Sequence, residues 1–340
     1  MKLIFHIGAG KTGSTSIQRT LTLNDTLLKE RGVWYLGLRL ERASAKLFKW
    51  QETHSAIQDF YRLSNDEAKK QLLEVFRPIT EEAKEKNIET LIWSNESFLG
   101  RNHNFTGALQ QLQKEGVEVE ILIYVREYAS WAYSAYLQWG IKHKTYLGKL
   151  QTFTEWSKTH PPSFYKQMKN LLEIMPERVS VRNMSAIEDV VLDFLDFANI
   201  ESEGIEISHS NQTPKNEELF LRALFNSKID ARVLPERFNN ILGKDIHFSV
   251  RPKEFLDELL PTDDDLKSVL RETAYDQEEI NSILLTQGQK KLEEKKYSAK
   301  STDIDTEKLL MSLADIVMDQ SKRIDNLERL SKKNKVIDGK

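Results

Sequence analysis

Five short apolar runs bounded by turn-forming residues punctuate the chain: Leu3 to Ile7, Val33 to Leu36, Thr90 to Trp93, Val117 to Val125 and Val179 to Val181. Runs of this kind are the pattern of strands buried on both faces of a parallel sheet. Between them apolar residues recur at helical spacing, over Thr15 to about Glu30, Asp66 to Lys86, Phe105 to Glu115, Tyr128 to Lys142 and Ser163 to Leu172. Strands and helices alternating in this order predict a three-layer α/β/α sandwich around a central parallel sheet, of P-loop-like type. In such sheets ligands bind beyond the carboxyl ends of the strands, so the residues just after each strand are the ones to read for chemistry.

Beyond about Ile187 the strand signals fade and helices dominate, most clearly over Asn216 to Asn226 and Asp276 to Leu285. The polar stretch "KKLEEKKYSAKSTD" reads as a linker. After it, Leu310, Leu313, Val317, Gln320, Ile324 and Leu327 fall on heptad positions. So short a stripe fits either one amphipathic helix packed on its own domain or a short coiled coil joining copies of the chain into a homo-oligomer. The expected organisation is an α/β core over residues 1–208, a helical continuation over 209–299 and a terminal linker and helix over 300–340.

Composition narrows the classes. The chain has 340 residues, 39% hydrophobic and 30% charged, with a net charge of -3, which gives no overall attraction to nucleic acid. An anion site must therefore be local. There are no cysteines, which excludes disulfides and thiolate metal sites. Met1-Lys2-Leu3-Ile4-Phe5 runs straight into the first strand without the pattern of a signal peptide, and no apolar run approaches the length of a membrane span. The expectation is a cytoplasmic protein with no membrane span.

The stretch "HIGAGKTGSTSIQ", His6 to Gln18, carries the chemistry and admits three readings. Gly8, Gly10 and Gly13 form a dinucleotide fingerprint, but that reading needs an acidic residue ending the second strand, and Glu30 precedes it. A nucleotide triphosphatase loop ending in Gly10-Lys11-Thr12 needs a glycine where Phe5 stands, and a strand-end Asp for Mg²⁺. The third reading takes Lys11, Thr12, Gly13, Ser14 and Thr15 as a strand-to-helix turn whose backbone N–H groups, helix dipole and hydroxyls bind an anion.

In that third form the segment resembles the loop with which sulfotransferases hold 3′-phosphoadenosine 5′-phosphosulfate. A second motif adds to the resemblance: in "YVREYASWAYSAYLQ", Arg126 ends a strand and Ser134 follows eight residues later on a helix. The family's 3′-phosphate site has this pairing. The resemblance looks bacterial and carbohydrate-directed. It is specific over Leu3 to Gln18 and Ile121 to Gln138, loose to about Asn226, and absent from the tail.

The resemblance implies an acceptor hydroxyl attacking sulfur in line, with no covalent enzyme intermediate and no metal. Lys11 would stabilise the leaving oxygen. Glu96, just past the third strand in "TLIWSNESF", would be the base, since saccharide-directed members commonly use Glu; His103 in "GRNHNF" is the rival. Ser16 stands where many cytosolic members carry an adenine-stacking Trp, so Trp131, Tyr133, Tyr136 and Trp139 become candidates for stacking or for the core. Asn211, Thr213 and Lys215, in an Asn-x-Thr segment before a helix, would close over the donor or simply cap that helix. The acceptor is expected to be a saccharide or glycan. Lys142, His143, Lys144 and Lys149 hint at an anionic one. Two other classes stay open: an ATP- and Mg²⁺-dependent small-molecule kinase, and a catalytically silent nucleotide-binding adaptor joined through its terminal helix.

Overall fold

The computed structural model describes residues 1–53, 55–209, 215–237, 252–293 and 302–310, and beyond them positions 317, 320, 323, 324 and 327. Five strands, β1 (Lys2–His6), β2 (Val33–Tyr35), β3 (Thr90–Ser94), β4 (Glu118–Val125) and β5 (Val179–Asn183), form one parallel sheet in the order β2-β3-β1-β4-β5. Each coincides with an apolar run to within two residues. The helices are α1 (Ser14–Leu23), α2 (Asp25–Glu30), α3 (Lys49–Glu52), α4 (Ile57–Tyr61), α5 (Asn65–Glu85), α6 (Thr106–Lys114), α7 (Tyr128–Ala135), α8 (Phe153–Thr159), α9 (Phe164–Ile174) and α10 (Val190–Phe197). They are followed by α11 (Asn216–Ser227), α12 (Pro252–Leu259), α13 (Asp263–Glu272) and α14 (Ala274–Thr286).

The chain divides into two compact units. The first comprises residues 1–128, 162–211 and 273–294 and contains the sheet. On one face, Ile4, Ile92, Leu122 and Tyr124 pack against Ile17 and Leu21 of α1, Leu28 of α2, and Val191, Phe194 and Leu195 of α10. On the other, the Phe5 ring stacks on Trp93 at 3.9 Å, and Phe76 of α5, Phe98 and Phe105 close around the pair. Burying each such side chain contributes about 1.5–3 kcal/mol, so the ends of β1, β3 and β4 stand on a stiff platform. Helices on both faces of a parallel sheet make this the α/β sandwich that the alternation predicts.

The helical pattern from Thr15 to Glu30 is interrupted at Asn24. There the side-chain amide donates to Thr20 O at 2.8 Å and Glu206 O at 2.9 Å, while its oxygen accepts from Glu206 N at 2.9 Å. An Asn side chain competes with backbone groups for such bonds, which ends α1 and fastens the extended 205–208 segment along it. Ser208 N donates to Thr20 Oγ1 at 3.0 Å, completing the seam. The polar stretch after α14 is also held at its start, where Asn183 donates to the carbonyls of Lys290 and Lys291 and Leu292 is buried.

The second unit comprises residues 129–161, 212–272 and 295–340. The pattern from Tyr128 to Lys142 changes pitch part-way, from α7 to a π-helical stretch over Tyr136–Lys142. Gly140 lies so close to Tyr136 that a Cβ there would stand 2.3 Å from the ring, so the wider turn has the one residue that fits it. Tyr136 itself is fully buried, its ring against Phe153 and Trp156 and its hydroxyl donating to Gln151 O at 2.8 Å. It is a core residue of this unit.

Lys144 departs from the basic cluster proposed as an acceptor surface. It is fully buried, and its ammonium donates to the carbonyls of Gly148, Ile229 and Ala231. A desolvated ammonium needs such a set of acceptors, and so bound it ties two loops together rather than meeting ligand. In the tail, residues 306–310 are helical, Leu310, Val317, Ile324 and Leu327 are exposed, and Leu313 lies outside the described residues. Among the described residues no helix is long and apolar enough to cross a membrane.

Candidate functional site

The site is built where β1 ends. The turn after it takes three left-handed residues, Gly10 (φ 60°), Lys11 (φ 56°) and Gly13 (φ 86°), and leads directly into α1. Gly13 is the N-cap, with no side chain capping the helix and no acidic residue in the first turn. Its conformation demands glycine for a second reason: a Cβ would meet Val190 Cγ1 at 2.5 Å. The helix therefore begins on a glycine, which offers no capping side chain, and its first turn holds no carboxylate to offset its positive end.

Three buried polar atoms in this turn have no hydrogen-bond partner: His6 Nε2, Thr12 Oγ1 and Ser14 Oγ. They surround a common point. A Cβ placed on Gly8 would lie 2.3 Å from Ser14 Oγ, 3.1 Å from Thr12 Oγ1 and 3.4 Å from His6 Nε2. Buried polar groups are almost always paired in folded proteins, so three together mark a place built to receive a polar atom. A side chain at position 8 would intrude among the three atoms.

Arg126 follows β4, and its Nη1 donates to the Lys11 carbonyl at 3.0 Å. The strand-end arginine and the loop lysine, 115 residues apart, are thus brought to one spot. Burial pushes the Arg126 guanidinium below its usual value, with the neighbouring Glu127 acting in the other direction. Lys11 is itself half-buried. Of the remaining loop residues, Thr15 is exposed, while Ser16 is buried with its N–H donating to Gly13 O at 2.9 Å.

Glu96 opens a short 3-10 turn, Glu96–Phe98, immediately after β3. It is half-buried, and Gln18 of α1 donates to its Oε2 at 2.9 Å. The same Gln18 amide reaches Ser94 Oγ at 3.2 Å, and Ser94 Oγ lies 2.8 Å from His6 Nδ1. The parallel register sets His6 directly opposite Ser94, which explains that last contact. A continuous hydrogen-bonded chain therefore runs from Glu96 through Gln18 and Ser94 to His6. His103 is exposed on the turn Asn102–Asn104.

A solved structure similar to this chain is the crystal structure of a sulfotransferase from Alicyclobacillus acidocaldarius. It aligns with a TM-score of 0.36 at 16% identity, over 72% of this chain and 97% of that one. The chain is distantly similar in structure to a sulfotransferase. No family model matches the sequence. No curated protein matches it either.

Within the first unit, then, Lys11, Thr12, Gly13, Ser14, Ser16, Arg126 and Glu96 all stand at the carboxyl edge of β1, β3 and β4. Ser134 is half-buried on α7 and Lys215 is exposed before α11, both in the second unit. Asn211 and Thr213 lie outside the described residues. Trp131 is buried, Tyr133 and Trp139 are half-buried, and the rings of Trp131 and Trp139 are 6.0 Å apart. Among the described residues no group of His, Asp and Glu is arranged to hold a metal ion.

Sequence reasoning passed over His6, Gln18 and Ser94. A signal existed for two of them. His6 and Gln18 are the first and last residues of the stretch that carries the loop, and a His ending a strand with both faces covered has few ways to be solvated.

Proposed function

We propose that the protein transfers a sulfuryl group from 3′-phosphoadenosine 5′-phosphosulfate to a hydroxyl of a saccharide or glycan. One observation carries this reading: two unpartnered hydroxyls and an imidazole nitrogen converge at a glycine-capped helix start, in the segment that resembles a phosphosulfate loop and that Arg126 braces through the Lys11 carbonyl. The residues present suit such a group, since the polar atoms around Gly8 lack partners and a Cβ there would fill the space between them. The loop from Lys11 to Ser16, with Arg126, would hold the donor, whose chemistry is a sulfuryl group on a phosphate that departs readily.

The chain's own residues then have separable tasks. The amides of the first turn of α1 and the hydroxyls of Thr12 and Ser14 bind oxyanion oxygens. Lys11 supplies a cation where charge grows on the departing phosphate, a contact stronger in the transition state than before it. Glu96 accepts the proton of the acceptor hydroxyl, and Gln18 holds its carboxylate in place by the 2.9 Å bond. A Glu in the base position, rather than a His, is what favours a saccharide over a small phenol. Incubating the protein with donor radiolabelled at sulfur and a panel of saccharides tests the proposal. Label should pass to saccharide with wild type and not with Glu96→Gln; label passing equally with both would remove Glu96 from the chemistry.

A further inference from the structure

The scheme above assigns His6 no bond to the donor, yet its setting is unusual. The ring is fully buried between Tyr124 and Phe194, each 5.6 Å away between centroids. Burial in that apolar slot pushes the imidazole down to about 3, so it is uncharged at neutral pH. An uncharged imidazole carries one proton, and its partners decide on which nitrogen.

The neighbouring bonds favour one arrangement. Gln18 faces two groups that can only accept, the Glu96 carboxylate at 2.9 Å and the Ser94 carbonyl at 3.5 Å, so its nitrogen must point that way. The same nitrogen donates to Ser94 Oγ at 3.2 Å. Ser94 Oγ, having accepted, has its own proton free to give to His6 Nδ1 at 2.8 Å. With Nδ1 accepting, Nε2 carries the hydrogen, on the ring atom that lies with Thr12 Oγ1 and Ser14 Oγ around Gly8.

We propose that His6 is a binding residue of the loop: its Nε2–H, together with the hydroxyls of Thr12 and Ser14, donates to one oxygen of the bound phosphate group, and Ser94 and Gln18 fix the tautomer that allows it. Through Gln18 the same chain reaches Glu96, so the anion site and the base share one positioning element. The inference rests on reading the loop as the donor site. An uncharged donor also suits the setting, where Lys11 and Arg126 already supply positive charge and a third buried cation would be costly.

The test uses wild-type protein with isotope-labelled histidine and adenosine 3′,5′-bisphosphate as the probe. Imidazole spectra of the free protein should show His6 with its proton on Nε2, and adding the bisphosphate should shift that proton. Replacing His6 by Phe, which keeps the apolar packing, should weaken bisphosphate binding about tenfold, and His6→Gln, which restores an N–H, should recover part of it. A proton on Nδ1, or an Nε2 proton unmoved at saturation, overturns the role of His6 while leaving the loop reading intact. Wild type that binds no bisphosphate removes both.

Discussion

The guanidinium of Arg126 donates to the carbonyl of Lys11 at 3.0 Å, joining the end of the fourth strand to the tip of the loop that follows the first. Arg126 has further N–H groups to offer, since a guanidinium carries five. It can therefore shape the loop and meet an anion together. Replacing Arg126 by Ala should weaken adenosine 3′,5′-bisphosphate binding by roughly 1.5–3 kcal/mol, the range of a hydrogen bond to a charged group. Titration calorimetry reads this directly, and an unchanged affinity would take Arg126 out of the site.

Lys11 sits in a left-handed conformation at φ 56°, which costs a non-glycine residue on the order of 1 kcal/mol. Lys11→Gly removes both the strain and the ammonium. Stability should hold or rise in chemical denaturation, while turnover falls by about a hundredfold or more and bisphosphate affinity changes much less. Turnover at the wild-type level would show that the lysine is not a transition-state contact.

Gly8 is kept for space, not for backbone freedom. The Cβ of Gly8→Ala would stand 2.3 Å from Ser14 Oγ, forcing the Ser14 side chain out of its place at the start of α1. The expected cost is about 1–3 kcal/mol of stability, with bisphosphate affinity reduced at least about tenfold. Wild-type affinity in this variant would mean the cradle around Gly8 takes no part in binding.

Gln18 offers a test of the base that leaves the base itself alone. Gln18→Leu keeps the volume and removes the donor to Glu96, so kcat should drop by roughly 10- to 100-fold, more than KM for the acceptor rises. Steady-state kinetics at saturating donor decides it. An unaltered kcat would separate the Gln18 contact from catalysis.

The depressed value of His6 predicts a pH dependence of stability. In the unfolded chain the imidazole takes up a proton near 6.5, whereas in the fold it resists until about 3. The unfolded state thus binds more protons between these values, and stability falls as pH drops through the window, by about 1.4 kcal/mol per pH unit from this group. Denaturant titrations of wild type and His6→Gln at several pH values below 6.5 should show wild type losing stability faster. Parallel profiles would mean that the buried imidazole takes up a proton without resistance.

The sheet was readable because its signal is local: an apolar run such as Leu3 to Ile7 or Val117 to Val125 admits few alternatives once turns bound it. Helix interruptions were not, since Asn24 ends α1 by reaching Glu206, a residue 182 positions away. The loop was legible for the same reason as the strands, being contiguous from Lys11 to Ser16. The carboxylate and the arginine could be located only by their strand ends. What escaped was the connection among them. His6 meets Ser94, and Ser94 meets Gln18, through strand register and helix docking that no spacing along the chain encodes. Lys144 misled in the opposite direction, for a lysine among basic neighbours gives no sign that three carbonyls await it.

The most direct measurement of the central claim is thermal denaturation of the wild-type protein in separate samples with adenosine 3′,5′-bisphosphate, ATP with Mg²⁺, and NAD. A ligand at a hundred times its dissociation constant adds about 2.7 kcal/mol, enough for a clear shift. The bisphosphate alone should raise the transition. A rise only with ATP and Mg²⁺, or only with NAD, would contradict the account and assign the loop to a different nucleotide.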